Sequence, residues 1–213
     1  MTTLAIIGVS RGIGLATAKE ALERGWHVRG LARNPAGGGL EGSGITLLSG
    51  DARDATRVAE LVEGADAVVS TLGTDKQSGR VTLFSKSAKN LIAAMQSRDV
   101  RRLVAVSAIG VGDSWGHNGF LNDWVVFPLF RGGVHADKNR EEKLIRESNL
   151  DWTIVRPPKL TNGRRTGRYE VITICDDYRS GKISRKDVAH FICECIAASA
   201  HIHEMPEVAR PRR

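Results

Sequence analysis

Cysteine is scarce in this chain. Its three cysteines in 213 residues, Cys175, Cys193 and Cys195, match no metal-ligand spacing, which excludes a disulfide scaffold and a structural zinc site. Cys193 and Cys195 stand two apart in a segment of helical pattern, so they point to different faces, and all three read as reduced packing residues. A chain of this length buries an α/β core without either kind of staple. Long apolar runs are missing as well. None approaches the ~20 residues of a membrane span. The first strand begins almost at the first residue, so no secretory leader is expected. The expectation is a cytoplasmic protein with no membrane partner. No repeat, low-complexity stretch or linker divides the sequence, so one domain over 1–213 is expected. Tyrosine occurs only as Tyr169 and Tyr178.

Glycine, in contrast, is plentiful, and its placement at the start of the chain is informative. Leu4-Ala5-Ile6-Ile7 reads as a buried parallel strand. Gly8-Val9-Ser10-Arg11-Gly12-Ile13-Gly14 follows, and Leu15 to Arg24 reads as a helix. Strand, glycine turn and helix in this order form the arrangement that takes the pyrophosphate of a dinucleotide. Gly8 turns the chain off the strand, Gly12 lets backbone approach the phosphates, and Gly14 lets the helix pack against the strand. The helix N-terminus then offers free N–H groups to the anion. The spacing is G-x-x-x-G-x-G rather than G-x-G-x-x-G. Gly8, Ser10, Arg11, Gly12, Ile13 and Gly14 are the cofactor-binding residues expected from the turn.

An acidic residue about 20 positions further on would take the ribose hydroxyls of NAD. The residues there, Gly30-Leu31-Ala32-Arg33-Asn34, hold no carboxylate. Arg33 stands where a 2′-phosphate would lie, and Arg11 reaches the same group. NADP(H) is therefore the expected cofactor. The net charge of +7 suits a phosphate-rich ligand and would also suit nucleic acid. No basic helix or interleaved aromatic stripe supports nucleic acid, and the clearest basic run, Arg210-Pro211-Arg212-Arg213, reads as a frayed tail.

The remaining pattern alternates strand and helix. His27–Ala32, Ile45–Ser49, Ala67–Thr71, Leu103–Val106 and Trp152–Val155 read as strands two to six. Apolar faces at helical spacing lie between them: Leu15, Ala18 and Leu22; Phe84, Ala88, Leu91 and Met95; Val188, Ile192 and Cys195. Ser184-Arg185-Lys186-Asp187 has the form of a capping box. Such alternation predicts an α/β fold, a single Rossmann-type doubly wound parallel sheet with helices on both faces. Ligands of this architecture bind beyond the carboxyl ends of the strands. The residues there are Asp51 and Ala52, with Asp51 placed to accept from an adenine amino group. Thr71, Leu72 and Gly73 fall near the cofactor ribose, and Ser107 at the end of strand five. Pro157 lies in Arg156-Pro157-Pro158-Lys159, where backbone would meet the nicotinamide amide.

The segment 110–133 holds Trp115, Phe120, Trp124, Phe127 and Phe130, and glycines bound it. It follows strand five and should overhang the nicotinamide end of the cleft. One reading is an aromatic lid in which Trp115, Trp124 and Phe127 sandwich a planar acceptor; the other is a locally packed loop or a dimer contact. Trp26 and Trp152 read as core or sheet-edge residues. His201 and His203 alternate as in a terminal edge strand with solvated histidines, and no third ligand of suitable spacing makes them a metal site.

Taken in order, Gly8 to Gly14, Gly50-Asp51, Leu72-Gly73-Thr74, Ala88 to Met95, Val106-Ser107-Ala108, Leu144 to Leu150, Ile154 to Pro158 and Ile183 to Phe191 resemble the atypical short-chain dehydrogenase/reductases, in the group of the NmrA-like proteins and the biliverdin-IXβ/flavin reductases. The resemblance covers almost the whole chain. It implies a Rossmann fold, NADP binding at the residues named above, and oxidoreductase activity. Most short-chain dehydrogenases carry Tyr-x-x-x-Lys. Here Lys138 matches the lysine, but Val134 stands in place of the tyrosine. Ser107 matches the active-site serine. The departure argues against the usual carbonyl/alcohol mechanism and against sugar epimerase or dehydratase activity. A flavin, quinone or tetrapyrrole delocalises the charge that hydride brings, so a phenolic acid is less needed, and solvent, Ser107 or His135 would supply the proton. His135 reads equally well as a surface residue at a helix start. The expected catalytic residues are Ser107, Lys138 and His135. The expected activity is NADPH-dependent reduction of a planar small-molecule acceptor, flavin first, by a monomer or homodimer. The alternative is a non-enzymatic NADP(H) sensor that acts through a protein partner.

Overall fold

Six short apolar runs form the centre of the molecule: β1 (Thr3–Ile7), β2 (His27–Ala32), β3 (Ile45–Ser49), β4 (Ala67–Ser70), β5 (Arg102–Val106) and β6 (Asp151–Val155). In the computed structural model, which describes residues 1–74, 79–114, 132–174 and 181–211, they pair in parallel in the order β3-β2-β1-β4-β5-β6. The order reverses between β1 and β4, and a crevice opens at such a switch point. Every residue of β4 and β5 is buried, as expected of strands covered on both faces. The edge strand β3 is only half covered.

The helices are α1 (Gly12–Glu23), α2 (Ala55–Val62), α3 (Leu83–Ser97), α4 (Gly132–Arg146) and α5 (Arg185–Ala197). The two-residue period of a strand splits its side chains between two cores. Leu4 and Ile6 of β1 pack with Ala18 and Ala21 of α1 and Val188 and Ile192 of α5. Ala5 and Ile7 pack with Val58 and Leu61 of α2, Leu91 and Met95 of α3 and Ile145 of α4. Cys193 and Cys195, expected on different helix faces, are both fully covered in the first core. Burial pushes each thiol up to about 12, which suits unreactive packing residues.

Four short strands complete the face that carries α5. β7 (Lys159–Thr161) pairs in parallel with β9 (Lys182–Ser184), and β8 (Glu170–Ile172) pairs antiparallel with β10 (Glu207–Ala209). Ser184 caps α5 by accepting from the backbone N–H of Asp187 at 2.9 Å. The box is not reciprocal. Asp187 instead accepts from Thr166 N at 2.7 Å, Gly167 N at 3.0 Å and the Ser184 hydroxyl at 2.9 Å. Burial opposes its charge, but these donors outweigh it and hold the carboxyl below the usual carboxylate range.

Several elements differ from the sequence expectation. α1 begins at Gly12, inside the glycine turn, rather than at Leu15, and β4 ends at Ser70 rather than Thr71. Residues 200–204 do not form an edge strand. The backbone is left-handed at His201 (φ 57) and His203 (φ 62), because the chain must turn back after α5 to reach β6. It then covers the outer edge of β6: His203 N donates to Trp152 O at 2.7 Å, Ile154 N to Glu204 O at 3.0 Å and Arg156 N to Pro206 O at 2.9 Å. The imidazoles contact Glu204 and the Leu150 carbonyl, and no cluster suited to a metal ion occurs among the described residues. No helix among them is long and apolar enough to cross a membrane. Trp115, Trp124, Phe127 and most of the 110–133 segment lie outside the described residues, as do Cys175 and Tyr178.

α3 lacks a side-chain cap of its own. The buried Asp137 of α4 supplies one, accepting from Phe84 N at 2.9 Å and Ser85 Oγ at 2.5 Å. Asp137→Ala strands both donors in the interior and should lower the unfolding free energy by about 2–3 kcal/mol. Urea denaturation measures this, and a loss below ~0.5 kcal/mol would remove the capping role. Asp187 gives a pH test. Its folded-state pKa is depressed, so its contribution is present above the unfolded carboxylate's titration near ~4 and is lost as pH falls through the folded value. Asp187→Asn should reduce stability at neutral pH and flatten the acid limb of the stability profile followed by thermal melts.

Candidate active site

The carboxyl ends of β1, β2, β4 and β5 open on a cleft of about 1080 Å3. Its floor is the glycine turn. Gly8 has φ 90 and Gly12 φ 65, both in the left-handed region that favours glycine. A Cβ on Gly14 would run into the Gly8 carbonyl and the Thr71 hydroxyl, so this glycine sets the closeness of α1 to the sheet. Gly12 is open: its nearest neighbour for an added Cβ is Arg185 Nε, 4.0 Å away. The α1 N-terminus has no side-chain cap and no acidic residue in its first turn. Its N–H groups are therefore left for an anion.

Gly8, Ser10, Arg11, Gly12 and Ile13 line the cleft, as do Arg33, Asp51, Ala52, Thr71, Leu72 and Gly73. Gly14 lies behind the wall and acts through packing. Thr71 ties β4 to β1, its hydroxyl donating to the Ile7 carbonyl at 2.8 Å. Asp51 is already engaged. Arg53 donates to it through its backbone N at 2.9 Å, Nε at 2.9 Å and Nη2 at 2.6 Å. Those bonds, with help from the Arg33 charge, hold the Asp51 carboxyl down at about 2. Arg53 thus screens the one carboxylate among the described residues of the wall, which carry eight basic side chains.

Ser107 and Lys138 meet where β5 ends. The Ser107 hydroxyl is buried on the cleft wall and has no hydrogen-bond partner among the described residues. Such an orphan calls for a ligand or water. Lys138 reaches the same wall from α4. Its Nζ donates to Val106 O at 2.9 Å and to Glu141 Oε2 at 2.7 Å, and lies 4.2 Å from the Phe84 ring centroid. Burial raises the Glu141 pKa while Lys138 pulls it the other way. An ammonium carries three N–H donors, so one remains for the cleft.

Besides Gly14, two more expected residues are not on the described wall. His135 stands half-buried in the first turn of α4. That turn packs against residues 79–81, where a Cβ on Gly133 would run into the Gly79 carbonyl. Pro157 is buried beyond β6, because the preceding Arg156 is drawn inward. Arg156 Nη2 pairs with Glu142 at 2.7 Å and Nη1 with Asp113 at 2.6 Å. Burial opposes the charge, yet the two carboxylates hold the guanidinium protonated far above neutrality. The Arg-Pro-Pro-Lys stretch therefore braces α4 and the turn Gly112–Ser114. Tyr169 is remote from the cleft, its hydroxyl against His190 Nδ1 at 2.8 Å, and burial pushes it up to about 12. Among the described residues no tyrosine lines the cleft.

Sequence reading missed part of the wall: Arg80, Asn162, Gly163, Arg185 and Lys186. A signal for the last two existed. Basic residues in the first turn of a helix oppose its dipole, and Arg185 and Lys186 sit there between Ser184 and Asp187.

The solved structure of ChuY, an anaerobilin reductase from Escherichia coli O157:H7, superposes with a TM-score of 0.81 at 25% identity, over 100% of this chain and 98% of that one. A short-chain dehydrogenase/reductase from Veillonella parvula, in complex with NADP, gives 0.82 at 18% identity over 99% and 95%, a likeness of fold alone. An uncharacterized chloroplastic protein of Arabidopsis thaliana is 26% identical over 220 residues, 95% of this chain and 75% of that protein. The profile of the NAD(P)H-binding family matches residues 8–199, from the first glycine of the turn to just past α5, and the chain belongs to that family.

Proposed function

We propose that the chain is an NADPH-dependent reductase of a planar, conjugated acceptor: a flavin, a quinone or a linear tetrapyrrole. The observation that carries the reading is the orphan Ser107 hydroxyl beside Lys138, on the wall of a basic cleft floored by a glycine turn. The likeness to ChuY favours a tetrapyrrole among the acceptors.

The residues fit a dinucleotide. The uncapped first turn of α1 takes its diphosphate. Arg33 and Arg11 take the 2′-phosphate, which makes the cofactor NADPH rather than NADH. Asp51, held in place by Arg53, faces the adenine. The remaining N–H of Lys138 serves the nicotinamide ribose. When bound, the nicotinamide supplies hydride. Ser107 orients the carboxamide or the acceptor and, with solvent, delivers the proton. Glu141 keeps the Lys138 ammonium compensated in a buried site. An extended π-system spreads the charge that hydride brings, which accounts for a site in which Val134 replaces the usual phenol.

Arg33→Ala should weaken NADPH by about 10- to 100-fold, or ~1.5–3 kcal/mol, and leave NADH nearly unchanged. Calorimetric titration of both cofactors decides it; equal losses, or a wild-type preference for NADH, would overturn the NADP assignment. Ser107→Ala should lower kcat by about tenfold or more while NADPH affinity holds within about twofold. NADPH oxidation with a linear tetrapyrrole, FMN and quinones is the assay. Tight NADPH binding without turnover on any of them would assign the chain to sensing of the NADP(H) state instead.

A further inference from the structure

We propose that Arg185 of α5 is a second clamp on the diphosphate, closing on it from the side opposite the glycine turn. The inference rests on the reading of this cleft as the cofactor cleft. Arg185 comes from the far end of the sequence, 171 positions after Gly14 (185 − 14). Its Nε lies 4.0 Å from the point where a Cβ on Gly12 would be. The guanidinium therefore hangs over the part of the turn that has no side chain. It is not loose there, since Nη1 donates to Asn162 Oδ1 at 2.7 Å.

Among the described residues the electrostatics of this gap are one-sided. On one side is the positive end of α1, uncapped and without an acidic residue in its first turn. On the other is the Arg185 charge, seated in the first turn of α5, where that helix's own dipole disfavours it. The nearest carboxylate in sequence, Asp187, is committed to Thr166, Gly167 and Ser184. Arg185 has no carboxylate partner among the described residues. Two like-signed groups held across a narrow gap, one by Asn162 and one by the helix backbone, are complementary to an anion between them. A diphosphate spans such a gap, and a guanidinium offers it paired N–H donors. The clamp reads the feature that NADH and NADPH share, whereas Arg33 reads the one that separates them.

Four ligands separate these roles: NADPH, NADH, ADP-ribose (diphosphate, no 2′-phosphate) and adenosine 2′-monophosphate (2′-phosphate, no diphosphate). Arg185→Ala should weaken the first three by about 10- to 100-fold and leave the last unchanged. Arg33→Ala should do the converse for the two fragments. Arg185→Lys keeps the charge but loses the planar fork, and should recover only part of the loss. Dissociation constants from calorimetry or nicotinamide fluorescence are the readout, with thermal melts to confirm folded variants. Wild-type affinity for ADP-ribose and both cofactors in Arg185→Ala overturns the clamp. So does an effect confined to the acceptor KM, which would place Arg185 at the acceptor. If the wild-type chain binds neither cofactor, the reading of the cleft fails, and the clamp fails with it.

Discussion

The distance between α1 and the strands beneath it is the constraint on which the site depends. Gly14 leaves so little room that any side chain would strike the Gly8 carbonyl and the Thr71 hydroxyl. That closeness brings the first turn of α1 down to the ends of β1 and β4, where Thr71 holds the two strands together. Move the helix outward by the width of a methyl group and its free N–H groups no longer face the same space as Arg33, Ser107 and Lys138. The buried packing of Ala18 and Ala21 on the same helix serves this approach, because small residues let a helix lie low on a sheet.

A second theme is the handling of buried charge by α4. Adjacent residues of that helix take different cations. Glu141 accepts from Lys138 at the cleft, and Glu142 accepts from Arg156 behind it. Arg156 in turn holds Asp113, at the mouth of the segment that follows β5. One helix thus sets the cleft lysine and braces the strand end beside it. Buried pairs of this kind contribute little net stability, but breaking one partner away costs several kcal/mol. They fix geometry more than they strengthen the fold.

Much of the architecture was legible because it is written in local patterns. Six apolar runs, each near a turn signal, gave the strands to within one or two residues, and a glycine spacing gave the cleft. The placement of Ser107 and Lys138 on one cleft wall was legible only through the family resemblance, since nothing local links residues 31 positions apart (138 − 107). What escaped was non-local. Asp137 capping α3 from another helix, Arg156 turning inward to Glu142, and Arg185 arriving over Gly12 all depend on tertiary placement that no period reveals. The turn at His201 and His203 escaped for another reason. Alternation of polar and apolar residues resembles a strand, yet these residues take left-handed backbone to cross the edge of β6.

That crossing bears on how the chain is made. The outer edge of β6 is closed by residues 203–206, which leave the ribosome after every strand of the main sheet. Until they arrive, Trp152, Ile154 and Arg156 present bare backbone donors and acceptors, a template for pairing with another nascent chain. Synthesis of residues 203–206 is then the step that seals the sheet, and a nascent chain interrupted after α5 would carry the six paired strands with an open, adhesive flank.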